Sequence, residues 1–117
     1  MKYIINRSKW KNARWGKGAT RMLNAEGYMC CRGQICKQMG MPDVQLLDKG
    51  TPHSAGCTDR LLINNRGVNN HLSCDAMATN DHLAFSDEQR EAELVKMFGD
   101  VGVEIVFEGE YAAPVKD

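Results

Sequence analysis

The stretch SDEQREAELVKMFGDVGVEIVFE, residues 86–108, decides the fold. Ser86 is a good N-cap, and Gln89 follows three residues later, the spacing of a capping box. Asp87 and Glu88 fall in the first turn, where free backbone N–H groups favour negative charge. Leu94, Val95 and Phe98 supply an apolar face, and Gly99 can close the helix. Val103, Ile105 and Phe107 then alternate with Glu104 and Glu108, which predicts a half-buried strand. At the other end, Lys2 to Asn6 reads as a second short strand through Tyr3, Ile4 and Ile5. The two strands are expected to pair, tying both ends of the chain into one sheet.

Between them the signals are shorter. Met22-Leu23 and Tyr28-Met29 flank Asn24-Ala25-Glu26-Gly27, a connection that suits a hairpin. Cys31, Ile35 and Met39 recur every four residues beside Cys36, which predicts a helix from Cys31 to Met39, stopped by Gly40 and Pro42. Residues 43–60 read as mostly irregular, Leu61 to Ile63 as a buried strand, and Asn64 to Gly67 as a turn. A short helix is expected from His71 to Ala78, with Asn80-Asp81 ending it. The expected class is α+β: one domain over residues 1–117, with two or three helices on a small, mainly antiparallel sheet.

Composition sets the bounds. A chain of 117 residues, 43% hydrophobic and 26% charged, suits one modest core and argues against wholesale disorder. No apolar run approaches the roughly 18 residues that span a bilayer. The opening MKYIINRSK lacks the long apolar stretch of a secretory signal. Five cysteines, two of them adjacent, fit no tidy disulfide framework, so a reducing cytoplasm is expected.

The net charge of zero hides an asymmetry. Residues 1–40 hold nine basic residues against the single acid Glu26, a surplus of +8, and residues 41–117 hold six against fourteen, or −8. Such a split suggests an anionic partner, internal neutralisation, or a facing second copy. The basic residues concentrate between 7 and 21: Arg7, Lys9, Lys11, Arg14, Lys17 and Arg21, interleaved with Trp10 and Trp15 and with Gly16 and Gly18 around Lys17. Lys and Arg suit phosphate, tryptophan suits a nucleobase face, and glycine lets backbone N–H groups approach an anion. The spacing is not that of a Walker loop. Arg7, Lys9, Trp10, Arg14, Trp15, Lys17 and Arg21 are therefore the candidate ligand-binding residues. The plainer reading is a solvated loop anchored by its tryptophans.

Three further constellations bear on chemistry. Cys30-Cys31 opens a helix, where a thiol can ionise and act as a hydrolase nucleophile, although Cys31 shares the apolar stripe and reads more simply as core. His53 with Cys57 and His71 with Cys74 form two short pairs that could hold zinc. Asn80-Asp81-His82, with Asp75 nearby, could bind a ribose or a divalent ion, or simply end a helix.

Three segments resemble a group of small, mostly uncharacterised proteins of phages and bacterial genomes. They are Arg7-Ser8-Lys9-Trp10, then Leu23 to Gly33 with its Met-Cys-Cys-x-Gly core, then Asp75-Ala76-Met77-Ala78-Thr79-Asn80-Asp81. In that group the position after the two cysteines is usually apolar and is followed by glycine and an aromatic. Here Arg32-Gly33-Gln34 stands instead, so a more polar helix face is expected. The resemblance implies a phage or prophage setting and no established activity. Proteins of that setting commonly inhibit host machinery or intercept its signals. The expectation is a non-enzymatic protein of the bacterial host cytoplasm, without cofactor or membrane contact, that sequesters an anionic, nucleotide-like ligand as a homo-oligomer. The alternative partner is a host protein meeting the acidic face of Asp87, Glu88, Glu91 and Glu93.

Overall fold

The computed structural model describes residues 1–12, 21–57, 59, 61–62 and 71–112. Strand β1 covers Lys2–Asn6 and strand β2 covers Glu104–Glu108. Between them lie helices α1 (Cys31–Gln38), α2 (Asp43–Leu46), α3 (His71–Asn80) and α4 (Asp87–Gly99). A single 3-10 turn, Arg7–Lys9, leaves β1.

The two strands pair in parallel, with Tyr3 opposite Ile105 and Ile5 opposite Phe107. This corrects the expected antiparallel sheet. Period-two alternation reports which face is buried, and that pattern is the same for either direction. Direction follows from the connection: parallel neighbours need a crossover, usually helical, and here the helices between the strands supply it. Four described helices stand where two or three were expected, because α2 is a single turn inside a segment read as irregular.

The expected hairpin over residues 22–29 is a turn without a ladder. Asn24 Oδ1 accepts from the backbone N–H groups of Glu26 and Tyr28, and Asn24 N–H donates to the Tyr28 carbonyl at 2.9 Å. The arms then part: Leu23 bridges Leu47, and Met29 bridges Trp10, both in parallel. Leu61 and Leu62 lie in a turn rather than a strand. Ile63 and the predicted turn from Asn64 to Gly67 lie outside the described residues.

The capping box on α4 is present in full, with Ser86 Oγ accepting from Gln89 N–H and the Gln89 side chain accepting from Ser86 N–H. Helix α1 secures the free edge of β1 by an unusual route. Gln38 accepts from Ile4 N–H at 2.9 Å and donates to its carbonyl at 2.7 Å. Gln34 treats Asn6 in the same way, at 2.7 and 3.1 Å. Two amides one helical turn apart thus stand in for a neighbouring strand. The core gathers Tyr3, Ile5, Ile35, Leu94, Phe98 and Ile105 between sheet and helices. Helix α1 packs on β1 and α4 on β2, while α3 touches both helices. Among the described residues no helix is long and apolar enough to cross a membrane.

Candidate functional site

Asn80, the last residue of α3, is fully buried and organises the polar interior. Its Oδ1 accepts from Trp10 Nε1 at 2.6 Å and from the backbone N–H of Cys31 at 3.2 Å. Its Nδ2 donates to the Lys11 carbonyl and to Asp81 Oδ1, both at 2.9 Å. One amide therefore joins the segment after β1, the start of α1 and the end of α3. It also answers a local need. Cys30 is the N-cap of α1 and offers no side-chain cap, so a neighbouring helix supplies the acceptor for a first-turn N–H.

Around this hub lie three buried cations. Lys11, Arg32 and Arg90 are 1%, 2% and 3% exposed. Arg90 donates to the carbonyls of His82 and Phe85 and pairs with Asp87 at 3.2 Å. Arg32 donates from Nη2 to the Gly50 carbonyl at 2.9 Å. The Lys11 backbone donates to Met29 at 2.6 Å, but its ammonium makes no hydrogen bond or ion pair with any described residue. Asp81 lies within the electrostatic reach of all three cations. Burial lifts its carboxyl above the ordinary range, and the Asn80 hydrogen bond and the cations only partly oppose this. Its Oδ2 is buried and meets no hydrogen-bond donor among the described residues.

The residues predicted to grip a ligand are dispersed. Arg7 is engaged internally: Nε and Nη2 donate to the two Glu91 oxygens at 3.1 and 2.7 Å, and Nη1 donates to the Gly109 carbonyl. The hydrogen bonds that Arg7 donates to Glu91 hold its pKa above the ordinary value. Arg21 pairs with Asp48 at 2.6 Å on the surface. Trp10 is fully buried against Phe107, ring centres 4.8 Å apart, so an external base cannot stack on it in this arrangement. Lys9 is exposed, with its ammonium 5.6 Å from the centre of the Tyr28 ring. Arg14, Trp15 and Lys17 lie outside the described residues. The acidic face of α4 is partly consumed as well, since Asp87 and Glu91 serve Arg90 and Arg7 while Glu88 and Glu93 face outward.

The remaining chemistry is quieter. Burial pushes the Cys30 and Cys31 thiols up, which disfavours a nucleophilic thiolate. In the zinc alternative, His53 is exposed while Cys57 is buried, and nothing is described of the His71 and Cys74 side chains. Among the described residues no three His, Cys, Asp or Glu side chains gather as metal ligands.

Two members of the cluster escaped the sequence reading of the site although signals existed. Arg32 precedes Ile35 and Cys36 by three and four residues, on the buried side of α1. Arg90 precedes Leu94 and Phe98 by successive steps of four, on the inward stripe of α4. Comparison with known proteins adds no relative: no family model, no curated protein and no solved structure matches this chain.

Proposed function

We propose that this chain is a non-enzymatic binding protein for a small phosphate-containing ligand, with Lys11 as its central contact. The observation that carries the reading is Lys11, a residue only 1% exposed whose ammonium makes no hydrogen bond or ion pair with a described residue. A buried charge of this kind is costly unless something compensates it. A phosphate would supply both the charge and the acceptors, and Arg32 adds to the local positive field acting on Asp81. Exposed Lys9, two residues away, provides a second cation from the same segment. Arg7 and Trp10, part of the originally predicted set, have no place in this reading.

The setting implied by the resemblance gives such binding a use. A phage protein in the host cytoplasm would withdraw a nucleotide-like signal from a defence or regulatory system, and a second copy would complete so small a site. Calorimetry with inorganic phosphate, pyrophosphate and a panel of linear and cyclic nucleotides tests the reading. Heat of binding is expected with at least one phosphate ligand, and ligand at a hundred times its Kd should stabilise the fold by about 2.7 kcal/mol. Lys11→Met, which keeps the aliphatic stem, should abolish the heat and still fold. Silence across the whole panel with the unaltered protein overturns the proposal.

A further inference from the structure

We infer that Cys36 and Cys57 form an oxidative modification site, a thiol pair that closes into a disulfide when the protein meets a peroxide. The inference is independent of the phosphate-binding reading.

Contact comes first. The Cys36 and Cys57 side chains share a hydrogen bond, so each thiol already has the other as its neighbour. The fold holds both in place. Cys36 is on the buried side of α1. Cys57 follows the turns of residues 51–56 and donates its backbone N–H to the Pro52 carbonyl at 2.9 Å. Those turns are tied by Thr51 and Ser54, whose hydroxyls bond each other at 3.0 Å and each accept from the other's backbone N–H. One helical turn before Cys36, Arg32 donates to the Gly50 carbonyl at 2.9 Å. Helix α1 therefore meets the 50–57 segment at two points, and the second of them is the thiol pair.

Access separates the two sulfurs. Cys36 is fully buried, whereas Cys57 lines an open cleft of about 210 Å³ with Met39, Met41, Gln45, Gly56 and Asp59. A water molecule occupies roughly 30 Å³ of liquid, so the cleft has room for a peroxide. Burial pushes the Cys36 thiol up and keeps it protonated. The roles follow. The Cys57 sulfur attacks one peroxide oxygen, the O–O bond breaks, and the thiol proton leaves with the departing hydroxide as water. Cys57 is then a sulfenic acid. The Cys36 sulfur attacks the Cys57 sulfur, the S–O bond breaks, and the Cys36 proton leaves with that hydroxyl as a second water. Two thiols are oxidised by two electrons, and one hydrogen peroxide is reduced to two waters. In a reducing compartment such a bond is transient and serves to sense oxidation.

Mass spectrometry of the full chain tests this. The reduced protein is treated with an equimolar amount of hydrogen peroxide, quenched with iodoacetamide and digested. The expected product has lost two hydrogens, carries a Cys36–Cys57 linked peptide, and returns to the parent mass with dithiothreitol. Cys36→Ser should leave the sulfenic acid on Cys57 unresolved, where dimedone traps it. Cys57→Ser should form no intramolecular bond, and Cys30→Ala should form it as the parent does. A bond made through Cys30, Cys31 or Cys74 instead overturns the inference. So does a protein whose Cys36 and Cys57 both remain alkylatable after peroxide. If a serine variant fails to fold, the peptide map of the unaltered protein decides alone.

Discussion

Gly33, in the first turns of α1, shows how much a single side chain can decide. A Cβ built there would stand 1.9 Å from the Met22 carbonyl oxygen and 2.8 Å from its carbon, both backbone atoms that cannot swing aside. The glycine of the Met-Cys-Cys-x-Gly segment is thus explained by close approach of α1 to the chain at Met22. Gly33→Ala is expected to cost about 3 kcal/mol or to prevent folding, measured by urea denaturation. Asp81 makes the opposite case. Its pKa in the fold lies above its ordinary value of 3.8, so the folded state is penalised when the acid is ionised. The penalty is fully present above the folded pKa and fades as pH falls through it. Asp81→Asn should therefore raise Tm near pH 7, and the gain should shrink on acidification. At this scale the sequence was legible in kind but not in placement. Trp10 sits among six basic residues, and nothing local says that Asn80, seventy positions away, receives its indole N–H.

Among the elements, α4 and the alternation in β2 could be read directly, because a capping box and a period of two are local signals. Strand direction could not, nor could the fate of residues 22–29, whose arms pair with Leu47 and Trp10 instead of each other. Nor does any periodicity announce that Gln34 and Gln38 act as a surrogate strand. Each glutamine makes two hydrogen bonds with one residue of β1. Gln34 is almost fully buried, so Gln34→Ala leaves the Asn6 N–H and carbonyl without their partners. A loss of about 2 kcal/mol is expected. Gln34→Glu keeps the acceptor but sets a buried anion against the Asn6 carbonyl, and should recover none of that loss at neutral pH. Hydrogen exchange at the Asn6 amide would report the same ranking.

For the whole molecule, the charge split was plain in the sequence, but its meaning was not. The basic first third meets the acidic remainder inside one chain, through Arg7–Glu91, Arg21–Asp48 and Lys37–Asp43. The first of these is the partly shielded one, and Tyr111 joins it by donating its hydroxyl to Glu91. Glu91→Gln should lower stability by about 1–2 kcal/mol, read as a Tm drop of several degrees. Added salt should narrow the gap between variant and parent only slightly, since the pair is partly buried. A gap that vanishes at 1 M salt would mean the contact is merely superficial.

Parallel pairing of β1 with β2 also orders events in time. Tyr3 leaves the ribosome about a hundred residues before Ile105, its neighbour in the sheet. Throughout synthesis the first strand lacks its partner β2, and among the described residues the Gln34 and Gln38 amides of α1 are what can hold its backbone meanwhile. Nascent chains arrested before residue 104 should therefore remain sensitive to protease around Ile4, and those extended past Glu108 should become resistant as the sheet closes.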